Sequence, residues 1–174
     1  MAKIIRNYKI FNGILFYIVW YACIYGAALG FEMLGVMTGV ILTALHFCLS
    51  SKKLKDLIIL AIYLLIAVFG DWLLIQCKVI GYPHVTYDIT TMGVPLWVIM
   101  LYVSFSTTIN HSLVLIHRYP LLCSLGGGIG GAISFYFSEK IGAILLPLGL
   151  GSLLGLTLYW FAILLFSKWV HDQL

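Results

Sequence analysis

Residues 94–116 read VPLWVIMLYVSFSTTINHSLVLI, and this stretch decides the fold. It is long enough to cross a bilayer, for which about 20 apolar residues suffice, yet it holds Asn110 and His111. Wound as a helix of about 3.6 residues per turn, it places Trp97, Leu101, Ser104, Thr107, Thr108 and His111 on one stripe, because neighbours on a helical face lie three or four residues apart. Val98, Ile99, Tyr102, Val103 and Ile109 fall on the opposite side. One face suits lipid and the other a polar bundle interior, so the expectation is a membrane helix with polar positions turned inward.

The rest of the chain agrees. Of its 174 residues, 63% are hydrophobic and only 9% charged, and the mean hydropathy is +1.08. A soluble chain of this length needs many more charges to cover its surface. The expected fold class is therefore an all-α, polytopic membrane helix bundle of six transmembrane helices, forming a single transmembrane domain over residues 1–174. The spans cover about residues 10–30, 33–49, 57–76, 94–116, 121–137 and 141–166. A basic start (Lys3, Arg6, Lys9) followed at once by a long apolar run reads as an uncleaved first helix rather than a cleaved signal peptide.

Basic residues set the expected orientation. Lys3, Arg6, Lys9, Lys52, Lys53, Lys55, Arg118 and Lys168, eight of the ten, fall on one side of the six spans, and only Lys78 and Lys140 on the other. That excess marks the cytoplasmic side and puts both termini there. It also accounts for the net charge of +4 without a nucleic-acid partner, which is not expected. Cys23, Cys48, Cys77 and Cys123 form no CxxC pair, so neither a disulfide framework nor a zinc site is expected from them, and no metal is assigned. No cofactor is indicated.

Small residues recur at helical spacing: Ala22, Gly26 and Gly30 in span one, and Gly35 and Gly39 in span two. GGGIGGA in span five contains the pairs Gly126/Gly130 and Gly127/Gly131. No strand precedes that run and no GK[ST] follows, so close helix packing is a better reading than a phosphate cradle. Pro147 is expected to kink span six, where Gly149, Gly151 and Gly155 also allow close approach.

Ionisable residues inside apolar spans are the candidates for chemistry, since a charge at the bilayer centre costs roughly 2.5–3.5 kcal/mol on insertion scales. Asp71 follows Lys55 by sixteen residues, about 24 Å of helix, and so lies in the outer part of span three. It either faces a wet cavity, binds a partner, is protonated, or anchors a structural hydrogen bond. His111 lies about 10 Å below the cytoplasmic surface by its spacing from Arg118. His46 lies at a similar depth on span two. The two meet if spans two and four pack together, and such a pair relays protons or holds a metal. The alternative is two separate interhelical hydrogen bonds, with Asn110 as a further anchor. Glu32, Asp71, Asp88 and Glu139 share the outer side with His84, where they bind a cation or simply face solvent. Tyr82, Tyr87, Trp72 and Trp97 form either a lid over a cavity or an interfacial aromatic belt.

The segments GDWLL, PLWVIMLYVSFSTTINHSL and GGGIGGAISFYFSEKIGAI resemble a bacterial inner-membrane family known as a domain of unknown function. The likeness extends over most of the chain and rests on Asp71, Pro95, Leu96, Trp97, His111, Ser112, Leu113 and the Gly142-Ala143 pair. It implies a compact six-span protein of the inner membrane and no established activity, with lipid-modifying enzymes as a genomic association. The family pattern has Gly-Pro where this chain has Gly131-Ala132, which removes the ground for a kink in span five.

Three functions fit these features. The first is a membrane-embedded enzyme, or an enzyme's accessory, acting on a lipid or isoprenoid. Asp71 and His111 are its acid/base candidates, and Trp97, Ser104, Thr108, Asn110, His46 and Glu32 its substrate-binding candidates. The helix rise separates Asp71 and His111 by about 15 Å, which argues for two features of one elongated pocket rather than a dyad. The second is a small-solute transporter or membrane substrate-binding subunit that admits its ligand between the outer carboxylates and residues 77–93. The third is an assembly protein that meets other membrane proteins through its glycine-rich helices.

Overall fold

A computed structural model describes residues 2–83 and 92–173, and these fold as an all-helical bundle. His84, Tyr87 and Asp88 lie outside the described residues. The first helix, α1 (Ala2–Ala28), folds back onto α2 (Met33–Leu49) through a turn at Gly30, whose φ of 76° suits glycine. The small-residue ridges draw the pair together. A Cβ on Gly26 would stand 2.8 Å from the Phe31 carbonyl, and one on Gly35 would meet the backbone of Cys23.

The third rod is α3 (Lys53–Leu65), a π-helical turn (Ile66–Gly70) and α4 (Asp71–Gln76) in unbroken succession. The fifth, α6 (Pro120–Lys140), continues unbroken through Gly131-Ala132 and packs along α7 (Leu150–Gln173). Gly127, Gly128 and Gly131 make that packing possible: a Cβ on Gly128 would stand 2.6 Å from the Thr157 carbonyl, and one on Gly131 2.9 Å from the Trp160 ring. These glycines are spent within the chain, whereas a Cβ on Gly126 or Gly130 would meet nothing within 4 Å among the described residues.

Among the described residues, four helical stretches are long and apolar enough to cross a membrane: Tyr8–Ala28, Lys53–Gln76, Pro120–Lys140 and Leu150–Gln173. Two apolar helices are shorter, α2 and α5 (Leu96–Ser106).

Helix α5 departs most from the sequence expectation. It stops at Ser106, and residues 107–113 form turns before a 3-10 segment at Val114–His117. The serine and threonine run explains the stop. Ser106 Oγ donates to the Val103 carbonyl (2.6 Å), Thr107 Oγ1 to Ser104 (2.8 Å) and Thr108 Oγ1 to Phe105 (2.7 Å). These hydroxyls offer the carbonyls of the last turn an alternative to the helical ladder. Nor does α5 have a lipid face. Val98, Ile99 and Tyr102 are as buried as Trp97 and Leu101, because α1, α2 and α3 surround it.

The expected sixth span is also corrected. Residues 141–149 are irregular, α7 begins only at Leu150, and Pro147 therefore precedes the helix rather than kinking it. Gly142 (φ 85°) and Gly149 (φ 55°) bound this segment. Its backbone is well provided with partners. Gly81 and Leu145 exchange two hydrogen bonds (2.9 and 2.8 Å), and the Leu146 amide donates to Glu139 Oε1 at 3.0 Å. Glu139 thus holds a loop rather than merely facing solvent.

Candidate functional site

Asp56 opens α3, where an acidic side chain is favoured by the helix dipole. It is nonetheless only 2% exposed, and its carboxylate gathers partners from three other parts of the chain. His46 Nε2 on α2 lies 3.2 Å from Oδ2 and His111 Nε2 lies 3.0 Å from the same oxygen. Ser50 Oγ also donates to Oδ2, and Asn110 Nδ2 donates to Oδ1 at 2.8 Å. Consecutive helical residues diverge by about 100°, so Asn110 and His111 reach one carboxylate because they sit in the turn after α5 rather than on a continued helix.

A further layer fixes these groups. His46 Nδ1 lies 3.0 Å from the Tyr8 hydroxyl and 3.1 Å from Asn12 Nδ2. Asn12 Nδ2 can only donate, so Nδ1 accepts and a neutral His46 carries its proton on Nε2, pointing at Asp56. Asn110 Oδ1 meets His171 Nδ1 at 2.8 Å, and the His171 ring stacks on His117 at 3.7 Å. His117 lies outside the membrane-length helices, and burial, with His171 beside it, pushes its pKa down to about 4. A narrow cleft between α1, α2 and α5, lined by Asn12, Phe16, Thr43, His46, Ser104 and Thr107, reaches the cluster at His46.

Asp71 stands in a second, separate cluster. It directly follows the π-helical turn and is fully buried. Tyr102 donates to its Oδ1 at 2.6 Å, and Tyr82 donates to its Oδ2. The Tyr102 hydroxyl lies 3.3 Å from that of Tyr159 on α7. Trp97 packs edge-on against Tyr82, with ring centroids 5.7 Å apart, and Trp160 stacks on Tyr102 at 5.2 Å. Between the π-helical turn and α7 runs an open apolar groove lined by Leu65, Phe69, Gly70, Tyr159, Ile163 and Phe166. Gly70 makes room for the Tyr159 hydroxyl, which a side chain there would strike.

The sequence candidates thus divide. His46, Asn110 and His111 come together on Asp56. Ser104 meets Thr43 at 3.4 Å along the cleft beside them. Trp97 belongs with Asp71, through Tyr82. Thr108 turns its hydroxyl to its own helix, and Glu32 is buried at the start of α2. Asp71 and Glu139 have separate partners, the two tyrosines and the Leu146 amide.

Sequence reasoning missed Asp56, which sits in the lysine-rich run SSKKLKD and reads as an ordinary helix-start acid. Its sequence position near the depth of His46 and His111 is the signal that links it to them. Tyr102 and Tyr159 were likewise hidden among packing aromatics. Chemically, a carboxylate ringed by imidazoles holds a proton or a cation, with His46 Nε2, Asp56 and His111 Nε2 offering ligand atoms within 4.8 Å of one another. A carboxyl ringed by phenols holds or passes a proton.

The fold and these clusters define a class: an all-helical bundle with membrane-length apolar helices and ionisable groups enclosed within it. The chain belongs to the family described as protein of unknown function (DUF2878), which it matches over residues 9–166. No curated protein and no solved structure matches it.

Proposed function

We propose that this chain is a six-span protein of the bacterial inner membrane, with both termini cytoplasmic, that acts on a lipid or isoprenoid as an enzyme or as an enzyme's accessory. Four membrane-length helices support the membrane assignment. The bias of lysine and arginine between alternate loops supports the orientation. Helix α2 and the α5 segment with its following turns serve as the two shorter crossings.

The observation that carries the lipid reading is the groove beside the π-helical turn. Its walls are apolar and open outward, with Leu65 and Phe69 more than half exposed. Its lining includes Tyr159, whose hydroxyl continues through Tyr102 to Asp71. An acyl or prenyl chain from the bilayer enters such a groove sideways and brings its polar end to a line of hydroxyls backed by a carboxyl. Asp71 is the acid/base in this reading, Tyr159 the contact and Trp97 the brace for Tyr82. π-Helical turns often mark functional positions.

Lipid extracts of a deletion strain test the proposal. A changed lipid profile is expected, restored by the wild-type chain, partly restored by Tyr159→Phe and not restored by Asp71→Asn at equal membrane abundance. An unchanged profile in the deletion strain, or full restoration by Asp71→Asn, would overturn it.

A further inference from the structure

We propose that His46, Asp56 and His111 bind one divalent ion of the first transition row, with the ring nitrogens Nε2 and the carboxylate Oδ2 as ligands. This site is separate from the groove and Asp71.

The spacing already approaches that of a coordination sphere. Histidine nitrogens and carboxylate oxygens sit about 2.0–2.2 Å from zinc, so neighbouring ligand atoms lie about 3.0–3.4 Å apart at right-angle to tetrahedral positions. Asp56 Oδ2 is 3.2 Å from His46 Nε2 and 3.0 Å from His111 Nε2. All three ligand atoms lie within 4.8 Å of one another, so small ring rotations bring them onto a shared ion.

The surroundings are those of a ligand set rather than of a chance encounter. All three side chains are at least nine-tenths buried. Among the described residues, the basic side chains within ion-pair distance of Asp56 are His46 and His111, so its neutralisation falls to the imidazoles or to what they hold. An outer layer orients two of the ligands, Asp56 and His46, as it does around metal centres. Asn110 donates to Asp56 Oδ1 and Ser50 Oγ donates to Oδ2, the oxygen offered to the ion. Tyr8 and Asn12 hold His46 Nδ1.

Coordination at Nε2 requires the His46 proton to move to Nδ1. The Tyr8 oxygen can accept it, as can Asn12 Oδ1 once the amide turns over. No net proton is gained or lost with neutral imidazoles and an ionised Asp56. Two nitrogens and one carboxylate oxygen suit zinc, iron or cobalt better than magnesium or calcium, which favour oxygen alone. Three protein ligands leave a position open for water or a further ligand.

The test uses the full chain in nanodiscs, stripped with a chelator and titrated with Co2+ and then Zn2+. One equivalent of Co2+ is expected, with the strong visible bands of a four- or five-coordinate nitrogen-ligated ion, displaced by Zn2+. Asp56→Asn and His111→Gln should each weaken binding by on the order of 100-fold, and Tyr8→Phe by about 10-fold. Asp71→Asn should bind as the wild type does. Absence of binding to the wild type, or wild-type affinity in a His46→Ala/His111→Ala double variant, overturns the proposal. If the ligand variants do not fold, the wild-type spectrum decides: weak bands of a six-coordinate aqua ion overturn it. Either outcome leaves the lipid reading of the groove standing or falling on its own test.

Discussion

Asp56 and Asp71 are both buried carboxyl groups on the same long rod, and their neighbours could hardly differ more. Asp56 faces two imidazoles, an amide and a serine drawn from α2, the loop before α3 and the turn after α5. Asp71 faces two phenols, one from the loop after α4 and one from α5. Nitrogen partners can carry positive charge or turn outward to coordinate it. Phenols at neutral pH carry no charge and can only share or pass a proton. The first environment is therefore arranged around a retained negative charge and the second around a mobile hydrogen.

The largest expected effect separates the two directly. Asp56→Ala strands four donors in a buried site and should lower the unfolding free energy by about 3–5 kcal/mol, read by denaturant titration in detergent. A loss below about 1 kcal/mol would mean the imidazole cluster is not held together by its carboxylate. Asp71→Asn keeps an acceptor for one phenol and should lower it by only about 1–2 kcal/mol.

A smaller effect sharpens the contrast. Tyr159→Phe should cost about 0.5–1.5 kcal/mol. In a double-mutant cycle it should couple to Asp71→Asn through Tyr102 and add independently to Asp56→Ala. Coupling to Asp56 instead would merge what are described here as two centres.

The effect most damped by solvent lies at the edge of the Asp56 cluster, at the half-buried His117. His117 has its folded pKa near 4, below the ordinary 6.5. The unfolded chain thus binds more protons over that window, and the His117 contribution to stability is complete above pH 6.5 and declines as pH falls towards 4. Melting temperatures taken across that range should fall, and His117→Phe should flatten the fall.

Much of the helical fold was legible in the sequence because long apolar runs and small-residue spacings act locally. Gly26, Gly35, Gly127 and Gly131 all mark close approaches. The two misjudged segments share a cause. Residues 141–149 are apolar enough to pass for helix and residues 107–113 lie between apolar runs, and hydropathy does not register where a backbone carbonyl finds its hydrogen. In the first, the run Ser106-Thr107-Thr108 takes the carbonyls. In the second, Gly142 and Gly149 adopt positive φ around Pro147. The pairing of His46 with His111 was open to spacing arguments. Asp56 was not, since its local context explains it fully as a helix-start acid, and only the tertiary fold brings Asn110 and both imidazoles to it.

The stop after Ser106 has a consequence for engineering. Replacing Ser106, Thr107 and Thr108 by alanine removes the hydroxyls that end the rod and favours one more helical turn. Asn110 and His111 would then point about 100° apart, and the pair could no longer converge. The centre would come undone with every one of its members still in the chain, so its true determinant is punctuation rather than vocabulary.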